Sequence, residues 1–91
     1  MKEQDTDQSQ HRLHKLIMQI ITHQLRLKNP PETKETLDRL MSEGYSREDA
    51  RELIGAVISA HIYNMLKDQH NFDNTKYVAD LKRLPKVPWE E

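Results

Sequence analysis

The chain has 91 residues, with 14 Lys and Arg against 15 Asp and Glu, a formal net charge of -1, and no long block of one sign. That balance argues against nucleic acid and against an anionic membrane as partners. The chain contains no cysteine, which excludes disulfides, thiol chemistry and a cysteine zinc site.

Residues 1–9 are polar and are expected to form a disordered N-terminal tail, because nothing there offsets the entropy of ordering. They also lack the cationic-then-apolar pattern of a secretion signal. No apolar run approaches the roughly 20 residues that span a bilayer. A cytoplasmic protein is therefore expected. Residues 10–84 read as a single helical domain.

The first helix is expected from about Ser9 to Lys28. Leu13, Leu16, Ile17, Ile20, Ile21 and Leu25 recur with a helical period, not with the alternation of a strand. Asn29-Pro30-Pro31 ends it, with Asn29 as cap and Pro30 as first residue of the second helix, from about Pro30 to Glu43. Thr33, Leu37, Leu40 and Met41 face inward there, and Gly44 is a fitting stop. Ser46 followed by Asp49 resembles a capping box and opens a third helix, from about Arg47 to Lys67. Its stripe is Leu53, Ile54, Val57, Ile58, Ile62, Met65 and Leu66. After a loop, a short fourth helix from about Asn74 to Leu84 buries Tyr77, Val78, Leu81 and Leu84. Pro85 and Pro88 make residues 85–91 an extended C-terminal tail. Short connections favour antiparallel neighbours. The fold expected is all-α: an up-down-up three-helix bundle with a short fourth C-terminal helix.

Up-down-up order makes the first and third helices parallel, so their starts share one end of the bundle. His14 and Met18 lie one turn apart on the first helix, and Glu48 and Glu52 one turn apart on the third. This placement allows His14, Glu48 and Glu52 to form a site for a divalent metal such as zinc, manganese or iron. The alternative is a solvated bundle end, with the two acids complementing the helix dipole. Gln24 and His61 fall near the middle of their stripes and are expected to meet as a buried polar pair. That pair is either a ligand-binding group or a satisfied core hydrogen bond. Gly55, Ala56, Ser59 and Ala60 make one side of the third helix small enough for close approach of another helix. Trp89 is either a lid over a gap in the bundle or an exposed anchor for a protein partner.

The order Leu13-His14, His23-Gln24-Leu25, Asn29-Pro30-Pro31-Glu32, Arg39-Leu40, Glu43-Gly44-Tyr45-Ser46-Arg47 and Ile62-Tyr63, continuing to Tyr77 and Leu81, resembles the bacterial domain-of-unknown-function family 1841. The resemblance covers about residues 13 to 84. It implies histidines, in relatives, at the positions of His14, Met18, Glu48 and Glu52, of which only His14 is histidine here. It thus implies an ancestral polar or metal site at those four positions, and it supplies no activity. No nucleophile–base pair or phosphate loop is legible, which leaves enzymatic activity undecided and tilts the expectation against it. The leading expectation is a non-enzymatic accessory or protein-interaction module needing no cofactor. The alternative is a divalent-metal-binding helical domain with a His/Glu site between the first and third helices. The wide stripes on those two helices further suggest a homodimer.

Overall fold

The computed structural model describes the backbone of residues 2–90 and the side chains of residues 11–90, with four helices and, among the described residues, no strand. They are α1 (Lys2–Leu27), α2 (Pro31–Ser42), α3 (Arg47–Asp68) and α4 (Asn74–Arg83). α1 packs on both α2 and α3, and α4 closes the open side against α2 and α3. The fold is all-α, in the up-down-up order expected. No helix among the described residues is long and apolar enough to cross a membrane.

Local chemistry explains most boundaries. Ser46 caps α3, its hydroxyl accepting from the Asp49 N–H at 3.0 Å. Asp73 caps α4 in the same way, accepting from the Lys76 N–H at 3.1 Å. α2 stops just before Gly44, whose φ of 108° is costly for any residue with a Cβ. The start of α2 differs from the expectation: Pro30, not Asn29, is the N-cap, and Pro31 is the first helical residue. The reason is that Pro31 disfavours helical backbone at the residue before it, which holds Pro30 extended at ψ 151°.

The two ends of the chain also differ from expectation. Helical backbone begins at Lys2, ahead of the start near Ser9. The side chains of the residues assigned to an N-terminal tail lie outside the described part. Beyond α4 the chain is folded into turns, not extended. The Lys86 N–H donates to the Arg83 carbonyl and the Glu90 N–H to the Val87 carbonyl, both at 3.0 Å. Leu84 is buried and Val87 packs on the core, so apolar contact holds this segment down.

The core is built from Ile17 and Ile21 of α1, Leu37 and Leu40 of α2, Ala50, Ile54, Val57 and Ile58 of α3, and Tyr77, Leu81 and Leu84 from the fourth element. The small side of α3 faces inward at Gly55. A Cβ there would lie 3.0 Å from Met18 Cε, 3.3 Å from Ile17 Cγ2 and 3.6 Å from Ile21 Cδ1. A single methyl can be met by turning the flexible end of Met18. The branched side chain of valine cannot, because Ile17 is itself stiff at χ1. Gly55→Val is expected to cost about 1–3 kcal/mol. Gly55→Ala costs less, since a helix-propensity gain of about 1 kcal/mol offsets the crowding. Urea denaturation of the two variants checks the order.

Candidate functional site

Three groups of side chains carry chemistry, and a fourth feature is a surface. The first group joins three helices. Gln24 Oε1 on α1 accepts from the Thr33 hydroxyl of α2 at 2.7 Å and from the Tyr77 hydroxyl of α4 at 2.9 Å. Thr33 and Tyr77 are fully buried, and their hydroxyl oxygens lie 3.3 Å apart. The amide of Gln24 thus satisfies two hydroxyls that could not otherwise be buried without cost.

Burial pushes the Tyr77 phenol above its ordinary value of 10.0. A raised folded pKa means the folded state holds this proton more tightly than the unfolded state. The contribution is fully present below about pH 10 and is lost as pH rises through the folded value. Alkaline denaturation should therefore steepen above about pH 10. Tyr77→Phe should cost about 1 kcal/mol at neutral pH and lose less stability than wild type on going to high pH. Chemical denaturation at two pH values measures both effects.

The second group holds α3 to α4. His61 Nε2 lies 2.6 Å from Asp80 Oδ2. The imidazole also packs on the Phe72 and Tyr77 rings, with centroids 5.8 and 6.0 Å away. The expected pairing of Gln24 with His61 is not formed. Tyr77 enters between α1 and α3, taking Gln24 by its hydroxyl and His61 by its ring. Both residues are half-buried, and the fourth helix supplies partners to each.

The third group is the end of the bundle where α1 meets α3. His14 Nε2 lies 2.8 and 3.1 Å from the two carboxylate oxygens of Glu52. Parallel helices predict this contact, and Met18 meets Gly55 one turn further along both. The pair is about half exposed, where such contacts contribute little to stability. Glu48 does not complete it: among the described residues no group of three His, Cys, Asp or Glu side chains is placed to hold a metal ion. Glu48 stands exposed in the first turn of α3, where a carboxylate complements the helix dipole. Met18 instead packs against the core.

The surface feature lies on α1. The apolar residues of this helix divide into two faces. Ile17 and Ile21 enter the core, with Met18 and Leu25 half-buried beside them. Leu13, Leu16 and Leu27 point away from it, and Ile20 lies at the boundary, half-buried. Adjacent residues mark the division: Ile17 is 6% exposed and Leu16 is 56% exposed. The outer residues follow a 3-4-3-4 spacing, 13, 16, 20, 23 and 27, in which His23 is the polar member. At about 100° per residue they occupy an arc of about 80°. Leu16, Ile20, His23 and Gln24, with Gln19 and Asn29, line a shallow depression along this face.

Trp89 is 64% exposed and lies beside Ser59, Ala60, Tyr63, Asn64 and Pro88. Trp89 is thus mostly in solvent, at the rim of a pocket that it shares with the small side of α3.

The charge around the outer face was legible but masked by the near-neutral total. From Gln8 to Pro31 there is no Asp or Glu, while Arg12, Lys15, Arg26 and Lys28 are basic. No protein-family model, no curated protein and no solved structure matches this chain.

Proposed function

We propose that this protein is a non-enzymatic helical interaction module that engages a protein partner through the outer face of α1. The observation that carries the reading is the row of Leu13, Leu16 and Leu27, exposed on a helix whose adjoining face already fills the core. Scattered exposed leucines are ordinary on a monomer. A line of them at coiled-coil spacing, on the most extended helix of a small domain, is the pattern that receives another helix. Tyr63 and Trp89 provide a second, aromatic contact area of the kind that anchors interfaces.

A photo-crosslinking amino acid placed at Gln19, beside the seam, tests this reading against the same group placed at Lys34, exposed on α2. In cells that make the protein, the Gln19 position should give a discrete crosslinked protein that the Lys34 position does not. Identical products from both positions, or none from Gln19, would contradict it.

A further inference from the structure

We infer that the partner element is an acidic amphipathic helix, laid along the seam of Leu13, Leu16, Ile20 and Leu27. The inference rests on the interaction reading above and adds the chemistry of the occupant. Seam width decides the class of occupant. An arc of about 80° fits the narrow a/d stripe of helix pairing. A helix adsorbed on a bilayer presents a broader apolar face, usually with aromatic residues at its edges. Here the described α1 residues include no aromatic residue.

Charge decides the sign of the occupant. Lys15 and Arg26 lie on one flank of the seam, about 80–160° from its members, and Arg12 lies on the same flank between them and the seam. No carboxylate of α1 from Gln8 onward neutralises them. On the other flank the helix turns into its own core through Ile17 and Ile21. A second copy of the chain is a poor occupant. Antiparallel pairing centred on Ile20 sets Arg12 and Lys15 beside Arg26 and Lys28 of the copy. Parallel pairing sets the basic flank of each copy against the flank on which the other copy turns into its own core through Ile17. Like charges opposed in the antiparallel pair disfavour association, while Glu or Asp at the flanking positions of a partner helix would favour it. His23, the polar seam position, further weakens purely apolar self-pairing and restricts register.

Two synthetic peptides with the same leucine seam test this, one with Glu and one with Lys at the positions flanking it. Each carries one sign of charge and so resists pairing with itself. Titrated into the full chain and followed by fluorescence anisotropy, the Glu peptide should bind about tenfold or more tightly than the Lys peptide. Its affinity should fall with added salt. Leu16→Asp should abolish binding, and the triple variant Arg12→Glu, Lys15→Glu, Arg26→Glu should reverse the preference. Equal affinities, a preference for Lys, or failure of both peptides to bind would overturn the acidic-helix assignment. If equal affinities are both lost in Leu16→Asp, the interaction reading stands without it. Self-association in sedimentation that Leu16→Asp abolishes would overturn the inference in favour of a second copy. Binding to phosphatidylserine vesicles in place of the peptides would overturn it in favour of a membrane surface.

Discussion

Tyr77→Ala is expected to lower the folding free energy by about 3–5 kcal/mol. In a domain whose whole stability is of order 5–15 kcal/mol, that removes much of the margin. Tyr77 is fully buried and packs on Phe72 and His61, with ring centroids 5.3 and 6.0 Å away. Its loss leaves a cavity where α4 reaches the Gln24–Thr33 pair. It also takes away one of the two donors to Gln24 Oε1. The effect should exceed that of Tyr77→Phe by several fold, because phenylalanine keeps the packing and leaves Thr33 still donating to Gln24. Thermal unfolding of the two variants separates packing from hydrogen bonding at this position.

The second large effect concerns the centre of the bundle. Leu40→Ala and Ile54→Ala should each cost about 2–5 kcal/mol, since both side chains are fully buried and their neighbours can only partly collapse into the space. Leu16→Ala should change stability by about 0.5 kcal/mol or less, as expected of a surface position. The contrast is informative because helical periodicity alone groups Leu16 with Ile17 and Ile20 in one core stripe. Equal losses at Leu16 and Leu40 in urea denaturation would place Leu16 in the core.

The helices were readable because their signals are local. Ser46 and Asp49, Gly44 and the proline pair act through near neighbours, and the structure puts helix ends within a residue or two of the expected positions except at the start of α1. The miss at Pro30 came from applying the pre-proline restriction to Asn29 and not to Pro30 itself. The core was readable at Leu37 and Leu40 of α2, but Met41, expected inward beside them, is 40% exposed because it follows Leu40 by one residue and so turns off the inward face. The core was not readable on α1, where two apolar faces adjoin and periodicity cannot say which one the bundle covers. Leu66, also placed in a stripe, is 70% exposed for a related reason: it shares an outer face of α3 with Tyr63, three residues before it and 64% exposed.

The site residues divide in the same way. His14 and Glu52 follow from helix order alone, and they meet. Gln24 and His61 are half-buried and do not pair with each other; their partners Tyr77 and Asp80 depend on how α4 docks, a nonlocal event with no pattern in the chain. The basic stretch from Gln8 to Pro31 was visible in the residues and hidden only by the acids elsewhere.

The central claim is that neighbouring residues of α1 serve different purposes, Ile17 holding the fold and Leu16 receiving a partner. Aspartate placed at each, with the crosslinker at Gln19, measures this directly. Ile17→Asp should unfold the domain, since it buries an unpaired carboxylate among Ile21, Ile54 and Gly55. Leu16→Asp should keep the helical circular dichroism and a melting temperature within a few degrees of the parent, about what a surface change allows, while the crosslinked product disappears. Retention of that product by a folded Leu16→Asp variant, or unfolding of this variant along with Ile17→Asp, would contradict the account.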